Sequence, residues 1–520
     1  MALKTLWIWI VFVLLPAHVV VGQNCLELLD SAQAYQSKSP VKSAAFLHTL
    51  VQVLDSRSCE SDQIGYAEVY NNVALIYVNI GDKMSGLKIF KKAVTEELKD
   101  HDSLSIELLP FYENLFSFYR KNRRYDSAAL YLSVEGRVLA NNHWKTESQV
   151  AHLVKSGVFY KEMGYLNQSF DQLSKAQKLS ERPSVSDSLK GSVLIEMGTL
   201  LTLLGNHEQA NENLTRAISI LRNGHPYLHA KAVDRLAKLM MEGGHLSQSE
   251  GSLLGNISFK KSTFPSDTLL LVESLNNLGA LYYRINDIVK AGEYFSEIVR
   301  IGNSYPEIKP YGLNNLGAVY LNKGDIIEAE KCFQEATDYF SNEFGSQHPD
   351  YANALSNLAA AKYQHGLHEE ALSLYTQVLE LDRSLFGKNH PKLATSMTNL
   401  AHVYAQMGYL EIALSLSEQS TRIKENSYGK HHHLLAKSYD DLGLMQLAHR
   451  DTTAALQSFD SALNINILHI KKILPVLTEK QRVLAFDHIR DNLRRFSSLA
   501  FSGQYFETVW AERAMNYMIN

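Results

Sequence analysis

Cysteine is almost absent from this 520-residue chain, with three in all. No two of them form a CxxC pair, so neither a zinc ribbon nor a thioredoxin-type site is indicated. Proline is scarce, with 11 residues, and those present open segments instead of filling a linker. There is no low-complexity stretch and no long run of one charge. A formal charge of -4 gives no reason to expect nucleic acid or an acidic membrane surface as partner. Apolar residues make up 45% and charged residues 20%, which argues against a disordered or fibrous chain.

Long apolar runs are missing as well, apart from one at the start. Lys4 precedes an unbroken apolar run from Leu6 to Leu15, Pro16 breaks it, and Val20-Val21-Gly22 supplies an exit of small residues before Gln23. That is the three-part layout of a secretory signal peptide over residues 1–22. The alternative, an uncleaved anchor, needs about 20 apolar residues, twice the length of this run. Cleavage after Gly22 leaves a soluble, secreted or periplasmic protein with no stable membrane span.

What the chain has in abundance is repetition. A small residue recurs in each Tyr-rich helical segment, with one Phe among them: Ala32, Ala74, Phe116, Gly157, Gly198, Ala237, Gly279, Gly317, Ala359, Ala401 and Gly443. Their spacings run 42, 42, 41, 41, 39, 42, 38, 42, 42 and 42, which chance does not produce. Seven residues past this anchor there is usually a Gly (Gly81, Gly164, Gly205, Gly244, Gly324, Gly366, Gly408), where the chain must turn between two helices. Twelve past it there is a small residue such as Ala128, Ser169, Ala291 or Ala371, which lets two antiparallel helices approach. A Tyr three past the anchor and a bulky residue such as Phe90, Phe295, Phe333, Tyr375 or Phe459 fill the space between hairpins. No hairpin can bury its apolar stripe alone, so the repeats must stack. The expected fold is all-α: a right-handed superhelical solenoid of antiparallel helix pairs over residues 23–472, about eleven of them, with a C-terminal helical extension over 473–520.

This pattern resembles the tetratricopeptide repeat, with a period longer than that family's usual ~34 residues. The surplus is about two helical turns, most simply placed in the second helix. The connector reads Phe344-Gly345-Ser346-Gln347-His348-Pro349, then Phe386-Gly387-Lys388-Asn389-His390-Pro391, with a worn copy at Tyr428-Gly429-Lys430-His431-His432. Gly closes one helix and Pro opens the next. This long variant is similar to the repeats of kinesin light chains and of bacterial CHAT-domain proteins. The segment from Ile473, with Phe486, Leu493, Phe496 and Leu499, and a last helix bearing Phe506, Trp510 and Tyr517, resembles the bridge to a CHAT domain. The chain stops at Asn520, where such a domain would begin, so the His and Cys of a caspase-like dyad have no counterpart. The resemblance implies a protein-binding scaffold. Its alternative is the sensor half of a CHAT-type peptidase system whose catalytic domain is missing or on another chain. A cytosolic motor adaptor is disfavoured by the leader and by the lack of a heptad segment before the repeats.

No catalytic or cofactor-binding constellation is found: there is no phosphate loop, no GxSxG and no phased pair of carboxylates. The reading is therefore a binding protein, not an enzyme, with no cofactor and no metal. Cys332 reads as a buried free thiol. His431-His432-His433 occupies the connector slot and reads as a variant loop in preference to a metal site. His365 and His368 flank a turn and read as solvent-facing. Cys25 opens the first helix and Cys59 follows its antiparallel partner, so the two ends meet and a disulfide is expected in an exported chain. The sequons at Asn167, Asn213 and Asn256 are acceptors if the source glycosylates. Trp510, Phe506 and Tyr517 form a stripe with no following element to cover it, which suggests self-association.

One polar set stands out. Two residues before the anchor lie Asn72, Asn114, Asn277, Asn315, Asn357 and Asn399, and Asn is a poor mid-helix residue. Repeat geometry puts this position on the concave groove, beside Asn276, Asn314, Tyr283 and Tyr363. In the resembled families such an Asn can hydrogen-bond the backbone of an extended peptide. The competing reading is that each Asn bonds the neighbouring repeat and spaces the helices. In the middle repeats the slot holds Lys155, Glu196 and Arg235, so the groove changes character there. The expected partner is a protein or peptide segment.

Overall fold

In a computed structural model of the protein the described residues are 25–59, 65–122, 124–143, 145–430, 432, 434–473, 479–502 and 509–519. Residues 1–22, where a leader is expected, together with His431, His433 and Phe506, lie outside them, and nothing is described of the side chains of 472–489 and 518–519. All regular structure among the described residues is helical, and none of these helices is long and apolar enough to cross a membrane.

Two compact units divide the chain after Trp144. The first pairs α1 (Cys25–Tyr35) with α2 (Pro40–Asp55), α3 (Tyr66–Asn79) with α4 (Lys83–Glu97), and α5 (Leu109–Lys121) with α6 (Tyr125–Asn141). The second continues with α7 (Thr146–Glu162), α8 (Leu166–Ser180), α9 (Asp187–Leu203), α10 (His207–Leu221), α11 (Pro226–Glu242), α12 (Leu246–Thr263), α13 (Leu271–Arg284) and α14 (Ile288–Gly302). It goes on through α15 (Lys309–Lys323), α16 (Ile326–Phe344), α17 (Pro349–Gln364), α18 (His368–Phe386), α19 (Pro391–Gln406), α20 (Leu410–Tyr428), α21 (Leu434–Ala448), α22 (Thr452–Ile473), α23 (Glu479–Ala500) and α24 (Val509–Ile519). Within each unit, helices pack closely on their partner in the pair and on the pair that follows, as in a stack of hairpins.

The repeat positions have visible causes. Each turn glycine seven past the anchor has a positive φ, from 73° at Gly205 to 92° at Gly81, and Asn286 and Arg450 take the same conformation where Gly is missing. The anchor must be small because the bulky residue of the second helix sits against it. A Cβ on Gly317 would lie 2.6 Å from the Phe333 ring, and one on Gly443 equally close to Phe459. Phe333 and Phe459 are fully buried there. Where the small residue twelve on is a Ser, its hydroxyl donates to the anchor carbonyl: Ser169 to Gly157 at 2.8 Å, Ser249 to Ala237 at 2.7 Å. The second helices reach 19 residues in α16, α18 and α20, which is where the surplus of the long repeat goes.

The connectors use their histidine as much as their Gly and Pro. The rings of His348 and His390 stack on Phe344 and Phe386 at 4.4 Å, and that of His432 on Tyr428 at 5.0 Å. Each Nδ1 accepts the backbone N–H two residues on, at Asp350, Lys392 and Leu434, capping the helix that Pro or Leu opens. One charged network is wholly internal. Lys260 donates to Asp234 (2.5 Å), Ser274 (2.9 Å) and the Leu270 carbonyl (2.8 Å), while Asn256 and Ser274 donate to the other Asp234 oxygen. With every polar group paired, this burial of charge between α11, α12 and α13 is tolerable.

Candidate functional site

The Asn residues two before the anchor stand in a row along successive first helices. Asn315 donates its amide to Asn276 (2.6 Å), Asn357 to Asn314 (3.4 Å) and Asn399 to Ser356 (3.5 Å), each one repeat back. Asn114 does the same to Asn71 at 3.0 Å in the first unit. The helix-spacing role is thus present in the geometry. It uses one donor hydrogen of an amide that has two, together with an acceptor oxygen, and these side chains remain half-exposed. Asn277 differs. It is 7% exposed and its Nδ2 has no partner, because the preceding repeat puts Asp234 in the acceptor slot and spends that carboxylate on Lys260. Tyr283 and Tyr363 are half-buried on the same side, the Tyr283 hydroxyl 3.5 Å from the Ala318 carbonyl and the Tyr363 ring 5.4 Å from that of His368.

A cavity of about 330 Å³ lies on the corresponding face of the middle repeats, lined by Lys161, Glu162, Thr199, Thr202, Leu203, Arg235, Lys238 and Glu242. Three of these hold the places, relative to the anchor, of the Asn and Tyr of the later repeats: Arg235 takes the Asn277 position, and Lys161 and Thr202 the Tyr283 position. Ion pairs replace the amides. Glu196 binds Lys161 (2.7 Å) and Lys231 (3.0 Å), and Arg235 pairs with Glu273 (2.7 Å). Burial alone would raise the Glu196 carboxyl, but the two ammonium groups hold it at about 2. Burial raises Glu242, against the pull of Lys238 and Arg284. Sequence reading marked this stretch only as a change of character. The signal that could have found the cavity is the recurrence of charge at several concave-face positions of three consecutive repeats.

The cavity adjoins a seam joining distant parts of the second unit. The His432 Nδ1 accepts a backbone N–H, so the ring proton is on Nε2, which donates to the Leu203 carbonyl at 3.1 Å across 229 residues. His390 packs on the turn after α7, where a Cβ on Gly164 would fall 2.6 Å from its ring, and it faces the backbone of Glu162. Tyr428 joins the apolar cluster of Leu166, Leu173, Leu200 and Leu214. The rings of His207 and His469 approach to 6.3 Å.

The remaining candidates fall as follows. Cys25 and Cys59 are joined as a disulfide with Cα atoms 5.7 Å apart. Cys332 is free and half-buried, where burial raises its thiol to about 11, so it is no ready nucleophile. His365 is exposed and meets Glu330 at 2.8 Å, whereas His368 is turned against Tyr363 instead of facing solvent. Of the sequons, Asn167 is exposed. Asn256 spends its amide hydrogens on Ala230 and Asp234, and Asn213 donates to the Gln209 carbonyl. Trp510 and Tyr517 turn inward on the buried ring of Phe496, and the Tyr517 hydroxyl donates to Asp460 at 2.8 Å. They are not an open stripe. Among the described side chains of α24, the large apolar ones left exposed are Val509 and Met515.

Stacked helix pairs with one polar face define a helical-repeat scaffold suited to binding protein. Residues 311–384, 357–426 and 393–466 match the tetratricopeptide repeat family, so the segment from 311 to 466, under a third of the chain, is built of tetratricopeptide repeats. Among solved structures the chain is similar to nearly identical TPR-like repeats of Podosopora anserina attributed to a kinesin light chain. That match has 22% identity and a TM-score of 0.33, covering 39% of this chain and 97% of that one. It is also similar to BtubC (BKLC) from P. vanneervenii, with 17% identity, 51% and 90% coverage, and a TM-score of 0.28. A third is a Rap protein complexed with Competence and Sporulation Factor, with 14% identity, 71% and 98% coverage, and a TM-score of 0.45. No curated protein matches the chain.

Proposed function

We propose that the chain is an exported, non-catalytic scaffold whose first helices α13, α15, α17 and α19 hold an extended segment of a partner protein. The observation that carries this reading is the row of Asn315, Asn357 and Asn399, half-exposed side chains that each spend one amide hydrogen on the repeat before. Neighbouring helices lie ~8–10 Å apart and an extended chain advances ~3.3 Å per residue, so one amide meets about every third peptide unit. An amide offers a donor and an acceptor and so suits a peptide group whatever its side chain. Tyr283 and Tyr363 supply the apolar walls that select side chains. Export rests on the layout of residues 1–22 and is tested by N-terminal sequencing of the mature protein, where an intact Met1 would refute it. Self-association through the last helix would rest on Val509 and Met515.

The test of binding is selection of a displayed library of random decapeptides on the full chain, followed by hydrogen exchange of the complex. Protection confined to α13, α15, α17 and α19 is the expected result. Protection on the second helices, or no binder at all, would overturn the reading.

A further inference from the structure

We infer that the connector histidines form a clasp that closes the second unit on itself, and that acid opens it. The clasp consists of His390 on the turn at Gly164 and His432 on the Leu203 carbonyl, backed by Tyr428 in the apolar cluster of α8 to α10. Neither contact belongs to the packing of adjacent repeats, which already accounts for the helices themselves.

The chemistry of the clasp requires neutral imidazoles. In both rings Nδ1 is an acceptor for a backbone N–H, at 3.1 Å from Lys392 and 3.3 Å from Leu434. A second proton can go only on Nδ1, where it would face that N–H and turn an attraction into a repulsion. It would also place a cation against an aromatic stack in a buried seam. The surroundings do little to offset this. Around His390 the charged neighbours are Lys392 on its own helix, which repels a proton, and Glu162, which presents its backbone. Around His432 they are the His207 imidazole, with His469 behind it, and the Tyr428 phenol. Burial accordingly depresses both histidines, His390 to about 4.

Opening has a consequence for the cavity. Leu203 and Glu162 line it and also carry the carbonyl and backbone that the two histidines touch. Release of the clasp uncovers this edge of the groove while leaving the repeat stack intact. Acid is thus expected to change access to the cavity before it unfolds the chain.

The experiment is small-angle X-ray scattering of the full chain between pH 7.5 and pH 4.0, with far-UV circular dichroism on the same samples. The expected result is a rise in radius of gyration below pH 6.5 with helicity unchanged. Gly164→Asn, which tolerates the positive φ but puts a side chain into the His390 ring, is expected to show the larger radius already at pH 7.5. A constant radius in the wild type, a Gly164→Asn protein as compact as wild type, or a radius that rises only with loss of helicity would each overturn the inference. None of these outcomes bears on whether a peptide binds the amide row.

Discussion

Asn315 gives its side-chain N–H to the Oδ1 of Asn276 across 2.6 Å, from one repeat to the repeat before it. The same bond recurs from Asn357 to Asn314 and, to a Ser, from Asn399 to Ser356, and it stops at Asn277. The row therefore has a structural part, which is satisfied, and a loose end, which is not.

That difference separates stability from binding. Replacing Asn276 by Ala strands the Asn315 donor and should lower stability by about 1 kcal/mol. Asn277→Leu removes an unpartnered buried amide and should leave stability unchanged or higher. Urea unfolding of both variants checks this. A clear loss of stability in Asn277→Leu would show that the amide has a structural partner.

The internal charge network predicts a large effect from one substitution. Lys260→Met leaves Asp234, which is fully buried, without its counter-charge and should cost roughly 3–5 kcal/mol. The measurement is the urea midpoint at pH 7. A change under ~1 kcal/mol would mean that water or another cation reaches Asp234.

Stability should also fall with acid through the clasp. His390 is depressed in the folded chain to about 4, while in the unfolded chain it titrates near 6.5. The unfolded state therefore gains a proton first, and the stabilisation present above pH 6.5 is lost as pH falls toward 4. The loss for this one residue is about 3 kcal/mol at its fullest. Urea midpoints at pH 7 and pH 4.5 for wild type and His390→Gln measure it, and an equal drop in both would assign the acid sensitivity elsewhere.

Cys25 and Cys59 close a loop with a sequence separation of 34. On the chain-entropy model this contributes about 3–4 kcal/mol to the first unit. Thiol counting on unfolded, unreduced protein should find Cys332 alone, and a count of three would rule the bridge out.

Much of the fold was legible because the repeat states each physical requirement many times over. The anchor must be small where Phe295, Phe333 or Phe459 lands on it, and the turn must tolerate positive φ at Gly81 or Gly324. These are local demands with fixed offsets. The connector histidines were legible as a motif but not as a role. Their partners Gly164 and Leu203 are more than two hundred residues away, and no periodicity links them. The Lys260–Asp234 network was hidden because each residue alone looks like an ordinary surface charge on a helix. The row of Asn was found by phase, while the exception at Asn277 depends on what Asp234 does in the preceding repeat. The inward turn of Trp510 and Tyr517 depends on α23 and Asp460, contacts that a helical stripe does not announce.

The most direct test of the scaffold account is the affinity of a selected decapeptide for the wild-type chain and for the double variant Asn315→Ala, Asn357→Ala, with circular dichroism alongside. If two backbone-directed bonds are lost, affinity should fall roughly tenfold or more, since each contributes ~0.5–1.5 kcal/mol and 1.4 kcal/mol is a factor of ten. Helicity should persist because Ala favours the helix. Unchanged affinity with intact helicity would contradict the account and leave these residues the single task of spacing the repeats.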